Sequence, residues 1–202
     1  VSLTQPPKIA FGNGCSSLCV EDLTSSGLNQ VFIVTSHPLL QLVDPFAAAL
    51  RKKGLSVKIY PEIDTEPNLA TLKAALESAR SFAPAAVIGI GGGSVLDVAK
   101  LVAAMYAGKS NIRDVFGINR LPSRPLFLIC LPTTSGTGSE VSPNAILLDE
   151  TDDKKKGVIS PYLVADAAYI DPMLTVGMPP ALTAATGFDA LTHCIEAYAN
   201  KF

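Results

Sequence analysis

Asp189 and His193 are the residues whose types and spacing most directly suggest chemistry. They stand four positions apart in the segment GFDALTHCIEAYANKF, residues 187–202, which has the composition of a helix. Residues i and i+4 project from the same helix face, so this carboxylate and this imidazole can share one cation. The same spacing also suits a structural Asp–His hydrogen bond or a plain surface pair. Because His37 is the only other histidine of the sequence, the chain can offer the beginning of a metal site.

A run of three glycines, Gly91–Gly93, separates the apolar segment AAVIGI from a helical pattern that begins near Ser94. Backbone N–H groups and the positive end of a helix can bind phosphate at such a turn, and the missing Cβ lets ligand oxygens approach the backbone. The turn matches neither GxGxxG nor GxxxxGK[ST], and it follows about the fourth strand, so tight packing is the alternative explanation. Asp97 and Lys100 follow on the helix. They are either an ordinary pair on the helix surface, or Asp97 faces the crevice in which a ligand of the glycine turn would lie.

A second polar loop, LPTTSGTGSEVSPN at residues 131–144, follows the next apolar segment and is rich in hydroxyl groups and glycine. A long loop that leaves a buried strand is more often functional than not. Thr133, Thr134, Ser142 and Asn144 could supply hydrogen bonds to an adenine, a carboxamide or a ribose without adding charge.

Short β-branched segments alternate with longer segments of helical periodicity, which is typical of βαβ units and a largely parallel sheet. The predicted strands are Lys8–Phe11, Val31–Thr35, Ser56–Tyr60, Ala86–Ile90 and Leu126–Leu131. The predicted helices are Leu39–Lys53, Asn68–Phe82 and Ser94–Ala107, with Gly54 after the first and Asn68 as an N-cap. Two continuous apolar strands, AAVIGI and LFLICL, indicate a sheet covered on both faces. We therefore predict an α/β fold with a Rossmann-like, mostly parallel sheet and helices on both faces.

The pattern changes from Asn144 onward. NAILLD and KKGVIS are predicted as further strands with the turn DETDDK between them, and DPMLTVGMPP has the prolines of a domain boundary. We place that border near Met178–Pro180. Residues 1–178 then form one α/β domain, and residues 179–202 form the first helical segment of a second, all-helical domain.

Composition excludes several classes of protein. The chain has 202 residues and is 48% hydrophobic, as a globular protein is. Its formal net charge of −2 gives no positive electrostatic potential that would attract nucleic acid or an anionic membrane. Its apolar segments are shorter than the roughly 20 residues of a membrane helix. VSLTQPPK lacks the features of a secretory signal, so we expect a cytoplasmic protein. The four cysteines show no CxxC pair, which favours reduced thiols.

Four segments, GGGSVLDVAK, PTTSGTGSEVSPNAIL, IDPMLTVGMPP and ATGFDALTHCIEAY, resemble in order and spacing the iron-dependent (group III) alcohol dehydrogenases. The resemblance runs from about Phe11 to the last residue. It implies an N-terminal dinucleotide-binding domain, a C-terminal all-helical domain, and a metal held between them by one Asp and three His. It makes Asp189 the aspartate ligand and His193 the first histidine, and the remaining ligands are expected from later helices outside this sequence.

The same resemblance implies a set of contacts to the dinucleotide. These are Gly92, Gly93, Ser94 and Asp97 in and just after the glycine turn, Thr133, Ser142 and Asn144 in the polar loop, and Lys156 as a further contact. Family members that prefer NAD carry an acidic residue directly after the second strand. Ser36 stands there instead, so NADP or dual use becomes plausible, and His37 is expected to be a loop histidine.

The implied activity is hydride transfer between a small alcohol, or its aldehyde or ketone, and NAD or NADP, with Fe(II) or Zn(II) as Lewis acid. A homodimer or higher oligomer is expected, with neither nucleic acid nor a membrane as partner. The alternative is a dinucleotide-binding module, or a truncated fragment, without turnover of its own.

Overall fold

The computed structural model describes residues 4–108 and 111–200 of the chain. The strands are β1 Lys8–Phe11, β2 Gln30–Val34, β3 Ser56–Tyr60, β4 Ala86–Gly91, β5 Gly117–Ile118, β6 Phe127–Pro132, β7 Asn144–Asp149, β8 Lys154–Ile159 and β9 Ala167–Ile170. The helices are α1 Ser16–Ser26, α2 Leu40–Lys52, α3 Leu69–Phe82, α4 Gly93–Met105, α5 Ile112–Val115 and α6 Pro180–Ala199. Short 3-10 turns lie at His37–Leu39, Pro161–Leu163 and Pro172–Thr175.

The main sheet has six strands in the described residues, in the order β1-β9-β6-β4-β2-β3, and every neighbouring pair is parallel. The chain leaves β2 towards β3 on one side and leaves β4 towards β6 on the other. The strand order therefore reverses between β2 and β4. In open parallel sheets, ligands bind in the crevice outside the carboxyl ends of the strands at such a reversal. Here the carboxyl ends of β2 and β4 border that crevice.

Helices cover both faces of this sheet. Along β2, successive side chains point to opposite faces. Phe32 packs with Leu72 of α3 and with residues of α4, whereas Ile33 packs with Leu50 of α2 and with residues of α1. All six residues of β4 are buried, as the continuous apolar run predicts. The expected Rossmann-like α/β fold is confirmed.

Sequence signals at two helix ends are also confirmed. The Asn68 side chain accepts a hydrogen bond of 2.9 Å from the backbone N–H of Thr71, which caps α3. Gly54 follows α2 with a φ of +88°, in the left-handed region that favours glycine. The four cysteines are free, as expected.

Two elements of the main sheet layer were not predicted. α1 is rich in serine and acidic residues and buries only Cys19, Val20 and Leu23, so its helical periodicity is weak. β9 has only four residues, and its pairing between β1 and β6 completes the sheet. The predicted strands NAILLD and KKGVIS form an antiparallel pair, but they belong to a separate small sheet with β5.

Asp171 joins the end of β9 to the start of α1. Its carboxylate accepts hydrogen bonds from Gly14 N at 2.9 Å, Ser16 Oγ at 2.6 Å and Met173 N at 3.0 Å. Burial alone would raise the pKa of Asp171, but the bonds from Ser16, Gly14 and Met173 hold it below its usual value. This carboxylate fixes the edge of the sheet on which β1 lies.

α6 begins at Pro180, where the sequence places a domain border, and none of its residues is buried. Phe188, Leu191, Ile195 and Tyr198 are all more than half exposed on it. That α6 opens a second domain stays a prediction. No helix in the described part of the chain is long and apolar enough to cross a membrane.

Candidate functional site

The glycine turn lies between β4 and α4, at the reversal of strand order. Gly92 caps α4 with extended backbone (φ −75°, ψ −177°), and the helix begins at Gly93. The first N–H groups of a helix have no acceptor within the helix, and Gly92 and Gly93 are half-buried while Ser94 is exposed. The turn therefore presents the amino end of α4 towards solvent, as an anion site requires.

Each of the three glycines has a different close neighbour. A Cβ on Gly91 would lie 2.5 Å from the Val95 side chain, so tight packing explains that glycine. A Cβ on Gly92 would lie 3.2 Å from Thr134 Oγ1, and one on Gly93 would lie 2.9 Å from the Thr137 side chain. Gly92 and Gly93 therefore form a narrow space against the polar loop that follows β6.

The polar loop is held against the glycine turn. The backbone N–H of Thr133 donates to the carbonyl of Gly91 at 3.0 Å, and Thr133 is itself buried. Gly91 and Pro132 pair at the ends of β4 and β6. The structure thus brings together Gly92, Gly93, Thr133 and Thr134, four of the residues that the sequence placed at a dinucleotide.

Lys100 lies beneath the polar loop and is fully buried. Its ammonium donates to Ser139 Oγ at 2.9 Å, to the carbonyl oxygens of Ser142 at 3.1 Å and Asn144 at 2.9 Å, and to Ser142 Oγ at 3.2 Å. Burial lowers the pKa of Lys100. The alternative of a helix-surface pair with Asp97 is therefore wrong, because this ammonium holds the polar loop from inside the protein.

Asp97 completes the same network. It accepts hydrogen bonds from Ser139 Oγ at 2.7 Å and from the backbone N–H of Ile146 at 2.9 Å, and its nearest oxygen is 3.9 Å from Lys100 Nζ. Burial raises the pKa of the Asp97 carboxyl, and the neighbouring Lys100 ammonium opposes that rise. Both oxygens thus bind the loop and β7. The contact between Asp97 and a dinucleotide stays a prediction.

The expected result of Lys100→Met is a loss of about 3 kcal/mol in the free energy of unfolding, since it leaves the Asp97 charge and two loop carbonyls without their partner. Chemical denaturation measures this loss. Lys73→Met is the matched control, because Lys73 is 79% exposed and its nearest carboxylate, that of Glu77, is 4.0 Å away. Equal stability of the two variants would contradict the role of Lys100.

Ser36 lies two residues after the end of β2, on the other side of the reversal. It is half-buried and forms an isolated antiparallel bridge with Glu62. The preceding Thr35 donates through Oγ1 to the carbonyl of Ile90 at 2.8 Å, which joins the ends of β2 and β4. Ser36 and the glycine turn therefore border the same crevice.

The remaining predicted contacts lie on the small sheet and in the loop before it. Ser142 and Asn144 bind Lys100, and Asn144 Oδ1 is buried with no hydrogen-bond partner among the described residues. Lys156 donates to Asp149 at 2.7 Å and forms an ion pair with Asp152 at 3.1 Å, and these bonds raise the pKa of Lys156. A contact between Lys156 and a dinucleotide stays a prediction.

Asp189 and His193 lie on one face of α6. His193 Nε2 is 3.7 Å from Asp189 Oδ1, and the two side chains are 58% and 43% exposed. Within residues 4–108 and 111–200, no group of three or more His, Cys, Asp or Glu side chains is arranged to hold a metal ion. The polar loop contacts this helix, because a Cβ on Gly136 would lie 2.5 Å from the Thr186 carbonyl oxygen.

A parallel sheet with a glycine turn at its strand-order reversal defines a Rossmann-like α/β protein. The family model for iron-containing alcohol dehydrogenase matches residues 6–172. The chain therefore belongs to the iron-containing alcohol dehydrogenase family, which confirms the resemblance seen in the sequence.

Three similar proteins illustrate this membership. Long-chain-alcohol dehydrogenase 1 of Geobacillus thermodenitrificans is 41% identical over 200 residues, which are 96% of this chain and 50% of the relative. The crystal structure of a 1,3-propanediol oxidoreductase is 30% identical with a TM-score of 0.93, covering 99% of this chain and 53% of that one. Sulfoacetaldehyde reductase from Bifidobacterium kashiwanohense, in complex with NAD+, is 30% identical with a TM-score of 0.91, covering 99% and 54%. The chain spans about half the length of the curated relatives it matches.

Proposed function

We propose that this chain is the dinucleotide-binding part of a metal-dependent oxidoreductase that interconverts a small alcohol and its aldehyde or ketone. The observation that carries this proposal is the glycine turn at the strand-order reversal, closed on one side by the hydroxyl-rich loop. That loop also contacts the helix bearing Asp189 and His193. A cofactor site and a candidate metal pair therefore border the same loop.

The cofactor would be held by backbone and hydroxyl groups. The N–H groups at the start of α4 and the positive end of the helix would bind the pyrophosphate, since Gly92 and Gly93 carry no side chain there. The hydroxyls of Thr134 and Thr137 border that space. The related reductase in complex with NAD+ supports a nicotinamide dinucleotide as the ligand.

Asp189 and His193 would supply two of the metal ligands. Ligands about 2.1 Å from a tetrahedral ion lie about 3.4 Å apart, which the 3.7 Å between Asp189 Oδ1 and His193 Nε2 approaches. Carboxylate and imidazole donors suit Fe(II) or Zn(II). A bound ion of this kind polarises a carbonyl, or lowers the pKa of an alcohol, for hydride exchange with nicotinamide. Both side chains are exposed on α6, so further ligands can approach the pair from outside the described residues.

The alternative function is dinucleotide binding without turnover. It would hold if no further ligands join Asp189 and His193, since the described residues contain no group of three or more His, Cys, Asp or Glu side chains arranged for a metal. If the whole protein is the metal-dependent oxidoreductase, we expect it to use NAD or NADP. We also expect it to form a homodimer or a higher oligomer.

The test combines nucleotide binding with turnover. Calorimetric titration of the chain with NAD should show saturable binding, and the whole protein loaded with Fe(II) or Zn(II) should oxidise a small alcohol while reducing the nucleotide. A chelator should abolish turnover and leave binding intact. Binding without metal-dependent turnover would select the alternative function, and absence of binding would contradict both.

A further inference from the structure

His37 lies between two carboxylates directly after Ser36. Its Nδ1 lies 2.7 Å from Asp64 Oδ2, its backbone N–H donates to Asp64 Oδ1 at 2.8 Å, and its Nε2 is 3.8 Å from Glu62 Oε1. The three side chains are between 44% and 56% exposed. They form an acidic cluster on the surface, with one imidazole and two carboxylates, which we call the His37 cluster.

The His37 cluster is fixed at the carboxyl end of β2. Glu62 is held by the backbone bridge between it and Ser36, and the N–H of Ile63 donates to the carbonyl of Thr35 at 3.2 Å. Thr35 in turn donates through Oγ1 to Ile90, one residue before the glycine turn. The cluster therefore borders the crevice at the strand-order reversal from the β2 side.

This position matters for a dinucleotide whose pyrophosphate lies at the glycine turn. In Rossmann-like sheets the adenosine ribose extends from that turn towards the neighbouring strand, where an acidic side chain accepts hydrogen bonds from its 2′-hydroxyl. β2 is that neighbouring strand here, and the two residues that follow it, Thr35 and Ser36, are not acidic. Acidic groups come instead from Glu62 and Asp64, which follow β3 and lie against Ser36 and His37.

We propose that Asp64 and Glu62 make this chain prefer NAD to NADP, with His37 as the residue that positions the Asp64 carboxylate. The inference rests on the proposed cofactor site. Two carboxylates repel a 2′-phosphate, and one imidazole can neutralise at most one of them. This revises the expectation from Ser36 alone, which left NADP or dual use open.

His37 is poorly placed to bind a 2′-phosphate itself. Its Nδ1 and its backbone N–H both bind Asp64, and its Nε2 faces Glu62. The hydrogen bonds from His37 lower the pKa of Asp64, so this carboxylate stays ionised at neutral pH. The charge that a 2′-phosphate would meet is therefore negative.

The test is calorimetric titration of the complete chain with NAD and with NADP at low salt. The variants are Glu62→Gln, Asp64→Asn and the double variant. Glu66→Gln is the matched control, since Glu66 belongs to the same segment but pairs with Lys155 at 2.6 Å. In the double variant, the NADP affinity relative to that of NAD should rise by about tenfold. Glu62→Gln alone should raise it less, and it removes no hydrogen bond that holds the segment.

The outcomes separate the two proposals. A rise in the double variant, absent in Glu66→Gln and smaller at high salt, supports the inference. If the double variant binds NAD but its NADP affinity relative to that of NAD equals the parental ratio, the inference is overturned. The proposed cofactor site would then still stand. No binding of either nucleotide by the folded parent would overturn the cofactor site and this inference with it.

Discussion

Gly92→Ala is expected to weaken NAD binding by about 30-fold, which corresponds to about 2 kcal/mol and the loss of one or two charge-assisted hydrogen bonds. Gly92 has an extended backbone that alanine adopts without strain, and the new methyl group would meet only the Thr134 side chain, at 3.2 Å. The methyl would therefore occupy the space for the phosphate with little effect on folding. Calorimetric titration with NAD and a thermal unfolding curve measure the two effects.

Two other glycines serve as comparisons for this prediction. Gly157→Ala is the control, because its Cβ would meet nothing closer than the Ala145 carbonyl at 4.0 Å. Gly91→Ala should instead lower stability, since its Cβ would overlap the Val95 side chain. Parental NAD affinity in a folded Gly92→Ala variant would show that the turn serves packing alone.

Asp189→Asn in the whole protein is expected to remove the bound metal and to lower turnover by at least about 100-fold, because an amide oxygen binds Fe(II) or Zn(II) far more weakly than a carboxylate does. His193→Ala should act in the same way. The side chains of Asp189 and His193 are 43% and 58% exposed on α6, so the fold of the described residues should be unchanged. Elemental analysis of the purified protein and an alcohol oxidation assay measure the two losses.

Glu196→Gln is the matched control for this pair. Glu196 lies on the same helix, with Oε2 4.0 Å from His193 Nδ1, and its side chain is 71% exposed. It should keep full metal content and turnover, and NAD binding should be parental in all three variants. Full metal content in Asp189→Asn would contradict the assignment of Asp189 as a ligand.

The sequence predicts the sheet layer and the glycine turn because both depend on local patterns. A buried strand in a parallel sheet is apolar throughout, and the run AAVIGI in β4 shows this directly. Asn68 and Gly54 mark helix ends through short-range hydrogen bonding and backbone conformation. The polar loop is predicted to be functional because it is long and directly follows the buried strand β6.

The sequence does not predict contacts between distant residues. Asp64 binds His37 across 27 positions, and Lys100 binds Ser139 across 39. One local signal for Lys100 does exist, since it stands among apolar residues in VLDVAKLVAAM. A lysine within an almost uniformly apolar helix must lie against partners of its own. β9 gave no such signal, because its four residues become a strand only through their neighbours.

The buried Lys100 also bears on how this loop can vary between proteins. Two of its acceptors are the backbone carbonyls of Ser142 and Asn144, which exist whatever side chains stand at those positions. Meanwhile Ser135 is an exposed residue of the same loop. The two carbonyl contacts with Lys100 do not depend on Ser135, so substitution at this position can alter the loop's chemistry without redirecting its backbone.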